Sequence, residues 1–356
     1  MTHILSPTTY YELNGGYAFD TDHRYDPYLV DNFIGYGDSV ANANVGFSWE
    51  RRPDEPTGRY RLPSPYQVYT FSFNAPGDVI SPYLKSESEN LNFNGAFASE
   101  LNENHAIKIG GELQTYTIRN FGITNRNVTA LAGRLNDPNS TQSYREVMTS
   151  LGVNNYGYDL DGNIYDGEDN YDTGQIGPKQ PLFAGAYIQD KIEYQNIIIN
   201  AGLRYDYIDT DNISFIDPLH PENSIDFNTQ EVNPEGLVET PSFSSVSPRL
   251  GFSFPITDQT VFHAQYGKFV QQTRLRDIYL GMYAISFNLQ GKFFIGTPVG
   301  FNVRPTRTTQ YEIGFTQQIG EFASFDITGY YKDILDQVVY RQQKTGSPGN
   351  PSALRN

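Results

Sequence analysis

The sequence contains no cysteine and a single tryptophan, and nowhere does it approach the ~18 continuous apolar residues of a membrane-spanning helix. Its longest aliphatic run is Ile197-Ile198-Ile199. The missing cysteines rule out disulfides and thiolate metal sites, and the short apolar runs exclude a helical membrane protein. Positive charge is also scarce: 25 Lys and Arg stand against 41 Asp and Glu, for a net charge of −16. Nucleic acid selects basic surfaces and is not an expected partner. Met1-Thr2-His3-Ile4-Leu5-Ser6-Pro7 has neither the basic n-region nor the apolar h-region of a secretory signal. Alone, that favours a cytoplasmic protein; with the strand pattern below, the expectation becomes that the true N-terminus is missing.

What the chain does hold is aromatic and turn-forming. Phe, Trp and Tyr make up 14% of it, with 27 Tyr and 23 Phe, although the mean hydropathy is only −0.51. A β-barrel reconciles the two, because every second strand residue faces the lumen and stays polar. Period-2 alternation over about ten residues is the sign of such strands. It is cleanest from Leu91 to Leu101, where Leu91, Phe93, Gly95, Phe97, Ser99 and Leu101 oppose Asn92, Asn94, Ala96, Ala98 and Glu100. It recurs at Ile197–Tyr207, Leu250–Ile256, Phe262–Gly267, Tyr311–Thr316 and Phe325–Lys332, and more weakly at Tyr11–Phe19, Ile107–Leu113 and Leu182–Ile192.

Nine strands are therefore predicted, and their connections are asymmetric. Short polar turns at 102–105, 194–196, 257–259 and 320–321 alternate with long stretches at 20–89, 120–180, 209–246 and 271–305. Such long loops would count against a compact soluble domain, whereas outer-membrane barrels pair short periplasmic turns with long extracellular loops. Lys108, Glu112, Arg204, Asp206, Arg249, Glu312 and Lys332 read as lumen residues. Tyr66, Tyr69, Tyr205, Tyr207, Tyr330 and Tyr331 read as interfacial girdle aromatics. One helix is predicted inside a loop, from Tyr144, Val147, Met148 and Leu151 with Gly152 as its stop.

These residues carry a resemblance. Ala184-Gly185-Ala186-Tyr187-Ile188-Gln189-Asp190-Lys191 followed by Asn200-Ala201-Gly202-Leu203-Arg204-Tyr205-Asp206 resembles a hairpin of TonB-dependent receptors. So do Ser247–Pro255 with Phe262–Phe269, and Pro305–Phe315 with Asp326–Ile334. Together they span about residues 90 to 336. The pattern is most similar to large receptors of Bacteroidetes-like bacteria that carry a carboxypeptidase-regulatory-like N-terminal domain. The resemblance implies an antiparallel transmembrane β-barrel in the outer membrane of a Gram-negative bacterium, active in nutrient uptake and not an enzyme. In such receptors a 22-stranded barrel surrounds an N-terminal plug, whose TonB box is pulled by an inner-membrane motor. Neither plug nor TonB box is visible here, and Leu354-Arg355-Asn356 lacks the usual terminal aromatic. Nine strands would also leave the first and last parallel, so an antiparallel barrel could not close on them. The expectation is a partial barrel over 1–340, a loop or truncated tail over 341–356, and outer-membrane lipid, the TonB complex and an unknown nutrient as partners. A passive porin, an adhesin-like barrel and a soluble carbohydrate-binding β protein are the alternatives.

Candidate sites concentrate in one loop. Asp159, Asp161, Asn163 and Asp166 set oxygen ligands around Gly162, the side-chain type a Ca²⁺ loop uses. Glycine nevertheless falls at the fourth place and Asn170 occupies the twelfth, unlike an EF-hand, so a plain acidic turn stands beside the Ca²⁺ reading. Tyr156, Tyr158, Tyr165 and Tyr171 interleave with acids in the same loop and are the candidate ligand-binding aromatics. The five histidines are scattered, with no HExxH pair, and no GxSxG, P-loop or GxGxxG spacing supports catalysis.

Overall fold

Alternating segments build a wall only when neighbours pair in the right register, since a slip of one residue turns every side chain to the other face. In the computed structural model of the chain, which describes residues 1–217, 220–224, 226, 229, 231–289 and 301–338, ten long strands pair in that way. They are β1 (Thr2–Ser6), β2 (Thr9–Arg24), β3 (Tyr83–Asn102), β4 (His105–Ile123) and β5 (Leu182–Tyr194), then β6 (Ile197–Asp209), β7 (Phe243–Thr257), β8 (Thr260–Gln271), β9 (Thr306–Ile319) and β10 (Ala323–Leu335). Each pairs antiparallel with the next in chain order. β1 and β10 are the two edges of the sheet among the described residues.

The registers keep the apolar sets together across the wall. Tyr11 of β2 opposes Phe97 of β3, then Ile109 of β4, Ile188 of β5 and Leu203 of β6. One step along β6, Ala201 leads to Leu250, Tyr266, Tyr311 and Tyr331. Phe254, Phe262 and Phe315 form a third row, their ring centroids 5.3 and 5.4 Å apart. The opposite face is polar: Asn14, Asn94, Glu112, Gly185, Asp206 and Ser245 lie in one row. The apolar face is uncovered, with Leu250 50% and Ile327 62% exposed, where a β-sandwich would bury it under a second sheet. Hydrocarbon is the medium that such a surface fits.

The edge of the hydrocarbon can be read from β3. Its outward positions run Leu101, Phe97, Phe93, Leu91 and then change to Glu89, Glu87 and Lys85. Leu101 to Leu91 covers about 33 Å of strand, which at a tilt of about 45° crosses about 23 Å, close to the apolar band of such barrels. Beyond Leu91 the β3–β4 hairpin continues past the membrane. This explains why both strands outrun the lengths predicted from alternation: with water or protein on both sides, nothing selects for it. β1 escapes prediction because Ile4 and Leu5 are adjacent and its five residues are too few to show a period. Ten strands also remove the parallel first-and-last pair that nine would have produced.

The turns at Pro7-Thr8, 103–104, 195–196, 258–259 and 320–322 are short, and the connections 25–82, 124–181, 210–242 and 272–305 are long, in strict alternation. The buried hydrophobic core lies in these four long loops. Leu29, Phe33 and Tyr36 from the first, Val128, Leu131 and Met148 from the second, Phe215 and Val232 from the third, and Tyr279 and Tyr283 from the fourth share one cluster with Tyr83 and Phe121 of the wall. Three girdle assignments change. Tyr66 and Tyr69 belong to a loop hairpin, Tyr66–Val68 with Phe71–Phe73, and Tyr330 opposes Glu312 and so sits on the lumen face. The tail 341–356 lies outside the described residues.

Phe97→Lys on the outward face is expected to cost about 2–4 kcal/mol of barrel stability near the bilayer midplane, against about 1 kcal/mol or less for Asn94→Lys on the lumen face. Urea unfolding in lipid vesicles measures both, and equal costs would overturn the assignment of faces.

Candidate functional site

The second long loop is built on α2 (Asn125–Leu135) and α3 (Tyr144–Ser150), which follow the short α1 (Ser39–Asn44) of the first loop. In α3 the Ser143 hydroxyl accepts from the Glu146 amide while the Glu146 carboxylate accepts from the Ser143 amide at 2.6 Å, a reciprocal capping box. Val147 and Met148 are buried, and Gly152, with φ +69°, turns the chain out of the helix under the ring of Phe287. The helix predicted at Tyr144–Leu151 is thus present. From Gly152 the chain enters the short strand Asn154–Tyr156, which extends the sheet by pairing with β4 at Asn120–Gly122.

That route decides the fate of the four candidate tyrosines. Tyr156 is drawn into the core, 6.1 Å from the ring of Tyr279, and burial pushes its phenol pKa up. Tyr158 is 2% exposed, with its ring 6.4 Å from Phe121. Neither presents a face to the outside. Tyr165 and Tyr171 stay partly accessible: Tyr165 donates to the Glu168 carbonyl at 2.9 Å, and Tyr171 to Asp169 Oδ2 at 2.9 Å. The four rings therefore divide into two that hold the loop and two that can meet a solute.

The acidic run closes mostly on itself. Asp159 Oδ1 accepts from the amides of Asp161 and Asn163, both at 2.9 Å, and Gly162 supplies the left-handed turn at φ +77°. Asp166 is pulled away to Arg119, 2.7 Å from Nη2. Among the described residues no group of three or more His, Asp or Glu side chains converges on a metal-sized space. Arg119 is the hub that the sequence did not reveal. It also meets Glu89 at 3.1 Å and Glu87 at 3.9 Å, with 11% of its side chain exposed. It ties the second loop to β3.

The loops also lock to one another. Asn212 Nδ2 donates to the Ile278 carbonyl at 2.6 Å, Ser286 Oγ accepts from the Val232 amide at 2.9 Å, and Asn154 Oδ1 accepts from the Gly281 amide at 2.7 Å. Arg145 pairs with Glu231 at 3.0 Å. The first loop is held by Asp38, which caps α1 through the Val40 amide at 2.9 Å and pairs with Arg59 at 2.7 Å. The hydrogen bond from Arg59 holds the Asp38 carboxyl below its ordinary pKa.

Beneath the loops, the lumen face carries a recess of about 540 Å³ whose lining includes Lys108, Tyr187, Arg204, Arg249, Gln265 and Gln310. Arg204 is paired with Glu112 and, at 2.7 Å, with Asp206. Lys108 and Arg249 have no ion pair among the described residues, and the Arg249 guanidinium lies 4.9 Å from the ring centre of Phe269. Gly110 makes room for the Tyr187 phenol, 2.5 Å from where a Cβ would stand. Five of the seven lumen residues predicted from sequence, Lys108, Glu112, Arg204, Asp206 and Arg249, thus line the recess or brace it.

Comparison with known proteins supplies the family. Residues 3–356 match the model of the family described as TonB dependent receptor-like, beta-barrel. Among solved structures the chain is similar to the FrpB iron transporter of Neisseria meningitidis (F3-3 variant), with 13% identity, TM-score 0.45, and 94% of this chain and 35% of that one covered. It is also similar to BauA, the ferric preacinetobactin receptor of Acinetobacter baumannii, with 11% identity, TM-score 0.41, and 92% and 35% covered. A third is the ferric citrate transporter FecA in its unliganded form, with 11% identity, TM-score 0.40, and 94% and 33% covered. The chain spans about a third of the length of these structures. No curated relative matches the sequence.

Three outcomes are expected from this geometry. Arg119→Ala, which leaves three carboxylates facing one another, is expected to destabilise the loop region by about 2 kcal/mol, less than for a fully buried pair because Asp166 is largely in solvent. Chelation of Ca²⁺ is expected to leave the melting temperature unchanged, whereas a drop of several degrees would make Asp159, Asp161 and Asn163 cation ligands. Asp38 gives a pH signature. Its folded pKa is lowered, so its contribution is full above the unfolded value of about 3.9 and is lost as pH falls further, through the folded value. Amide exchange in 33–44 should therefore accelerate below about pH 4 in the native chain, and the acid-induced step should be absent in Asp38→Asn.

Proposed function

The chain belongs to the TonB-dependent receptor-like β-barrel family, a family of Gram-negative outer-membrane receptors and not of enzymes, and from that premise we propose that it forms part of the wall and outer loops of an active nutrient transporter. One observation carries the reading: ten strands in register turn an uncovered apolar face one way and a polar face the other, while the hydrophobic core gathers in the loops at one end. A wall of this kind needs lipid outside and tolerates a solute path inside.

In this reading the nutrient first meets the loop assembly. Tyr165 and Tyr171, partly open beside acidic residues, offer aromatic faces and phenol hydroxyls to it, and Tyr156 and Tyr158 stiffen the loop from beneath. The lumen face with Lys108, Arg204 and Arg249 lies on the inward route and would bear on a plug that occupies the barrel. Energy would reach the nutrient through a plug and the TonB complex. The wall provides a fixed polar surface along which a plug can shift.

The test is made in cells that produce the complete receptor. Nutrient accumulation is expected to fall to background when TonB is deleted or the proton gradient is collapsed, with the barrel still present in the outer-membrane fraction. Uptake that persists without TonB would favour a passive pore. Tyr165→Ala with Tyr171→Ala is expected to weaken capture at the cell surface by about 10-fold to 100-fold, as loss of two aromatic contacts does at binding sites.

A further inference from the structure

The first long loop is seated on the outer side of the wall. Its Phe33 ring stacks on Tyr83 with centroids 4.7 Å apart and lies 5.5 Å from Phe121. Its Asp31 accepts from the Tyr83 hydroxyl at 2.6 Å and meets Lys85 at 3.1 Å and His23 at 3.6 Å. His23, Tyr83, Lys85 and Phe121 occupy the same alternate positions as Tyr17, Leu91 and Leu113, only further along the strands. They continue the outward face beyond the apolar band. The body of this loop is therefore seated on the lipid-facing side of the wall, beyond the band.

From that body a lobe, residues 51–75, projects. Its neck is closed where the Glu50 amide donates to the Pro76 carbonyl at 3.3 Å and the Ser39 amide to the Arg59 carbonyl at 2.9 Å. Inside it Arg51 donates to the carbonyls of Pro56, Gly58 and Arg61 and lies 5.5 Å from the Trp49 ring centre. At the tip, the hairpin Tyr66–Val68 with Phe71–Phe73 holds its apolar side chains out: Tyr69 is 91% exposed, Phe71 69% and Phe73 54%. The two turn residues, Tyr69 and Thr70, adopt φ +51° and +80°. A two-residue hairpin turn demands that conformation, but Asn and Gly are the residues that adopt it without strain. Arg52 and Arg61 are exposed, and no ion pair or hydrogen bond engages either guanidinium among the described residues.

We infer that this lobe is a membrane-surface anchor, with the aromatic tip at the boundary between headgroups and acyl chains of the outer leaflet and Arg52 and Arg61 on its phosphates. The inference rests on the outer-membrane reading of the wall. Aromatic side chains of this size are costly in water and favoured at that boundary. Guanidinium groups bind phosphate with paired hydrogen bonds, and free ones in the same lobe as a hydrophobic tip match an anionic lipid surface on a chain that is otherwise acidic. The loop that carries the lobe is seated, through Phe33 on Tyr83 and Phe121, on the same face of the wall as the lipid-facing band. The anchor would fix the lean of the first loop and, through the shared core, that of the other three.

The chain has no cysteine, so Thr70→Cys introduces a unique thiol for a bimane label. The labelled full chain is placed in vesicles of phosphatidylglycerol with brominated acyl chains, with Leu113→Cys as the band control and Glu235→Cys as the control on another loop. The label at position 70 is expected to be quenched by the brominated lipid, as at 113, while that at 235 stays bright. Arg52→Ala and Arg61→Ala are expected to weaken this contact roughly fivefold each, and a zwitterionic brominated lipid should reduce it similarly. Gln67→Cys serves if Thr70→Cys does not fold. A bright label at 70 beside a quenched one at 113 overturns the anchor and leaves the barrel reading intact; bright labels at both overturn both. Emission changes at 70 that vanish on diluting the protein in the membrane would mark contact between copies and overturn the anchor equally.

Discussion

The pairing of every wall strand with its neighbour in a register held across the wall, shifting only beside the short turns at Ser6, Asn102 and Thr257, is the constraint on which the rest depends. Hydrocarbon offers no hydrogen bonds, so backbone amides and carbonyls at membrane depth must be satisfied by adjacent strands. Once that ladder forms, the side chains are sorted automatically: Tyr11, Phe97, Ile109, Ile188 and Leu203 share one side because their backbones are opposed. A one-residue slip at any hairpin would bring the row of Asn14, Asn94 and Glu112 against lipid.

The wall does not supply a conventional core, and the molecule gathers one elsewhere. Four loops far apart in sequence converge on Tyr36, Tyr83, Phe121 and Met148, and their polar groups are shared: Asn154 with Gly281, Asn212 with Ile278, Arg145 with Glu231. In β3 and β4 one alternating face meets two environments in turn. Phe93 and Leu113 face the band, whereas Tyr83 and Phe121, on the same parity, are covered by folded loop. The strands are thus both membrane wall and foundation of the outer assembly, and Arg119 with its three carboxylates marks the level where one role gives way to the other.

For function, this arrangement separates support from contact. Tyr156 and Tyr158 had the composition of ligand-binding residues, yet the strand at Asn154–Tyr156 leads them inward. Asp166 had the look of a cation ligand and serves Arg119. Residues that looked alike in a run of acids and tyrosines take opposite roles, because a loop closed at both ends has an inner and an outer side. The assembly is braced by all four loops, so a change in one is felt by the others.

The alternation of Leu91–Leu101 or Ile197–Tyr207, the short turns between long loops, the lumen charges at Arg204 and Arg249, and the helix at Tyr144–Leu151 were legible in the sequence because each is local, carried by residues two to four apart. The motif of Val128, Leu131, Ala132 and Leu135 in α2 was equally local and could have been read. What the sequence could not disclose was where loops separated by tens of residues would meet. Arg119 finding Asp166, the burial of Tyr156 against Tyr279, and the seating of Phe33 on the outer wall depend on contacts across the chain. The sequence by itself determined a wall with one greasy and one wet side; only the tertiary structure decided which loop residues hold and which can touch. The physical reason is that strand periodicity is set by the backbone, one residue after another, whereas the packing of loops is settled by whichever distant side chains exclude water together.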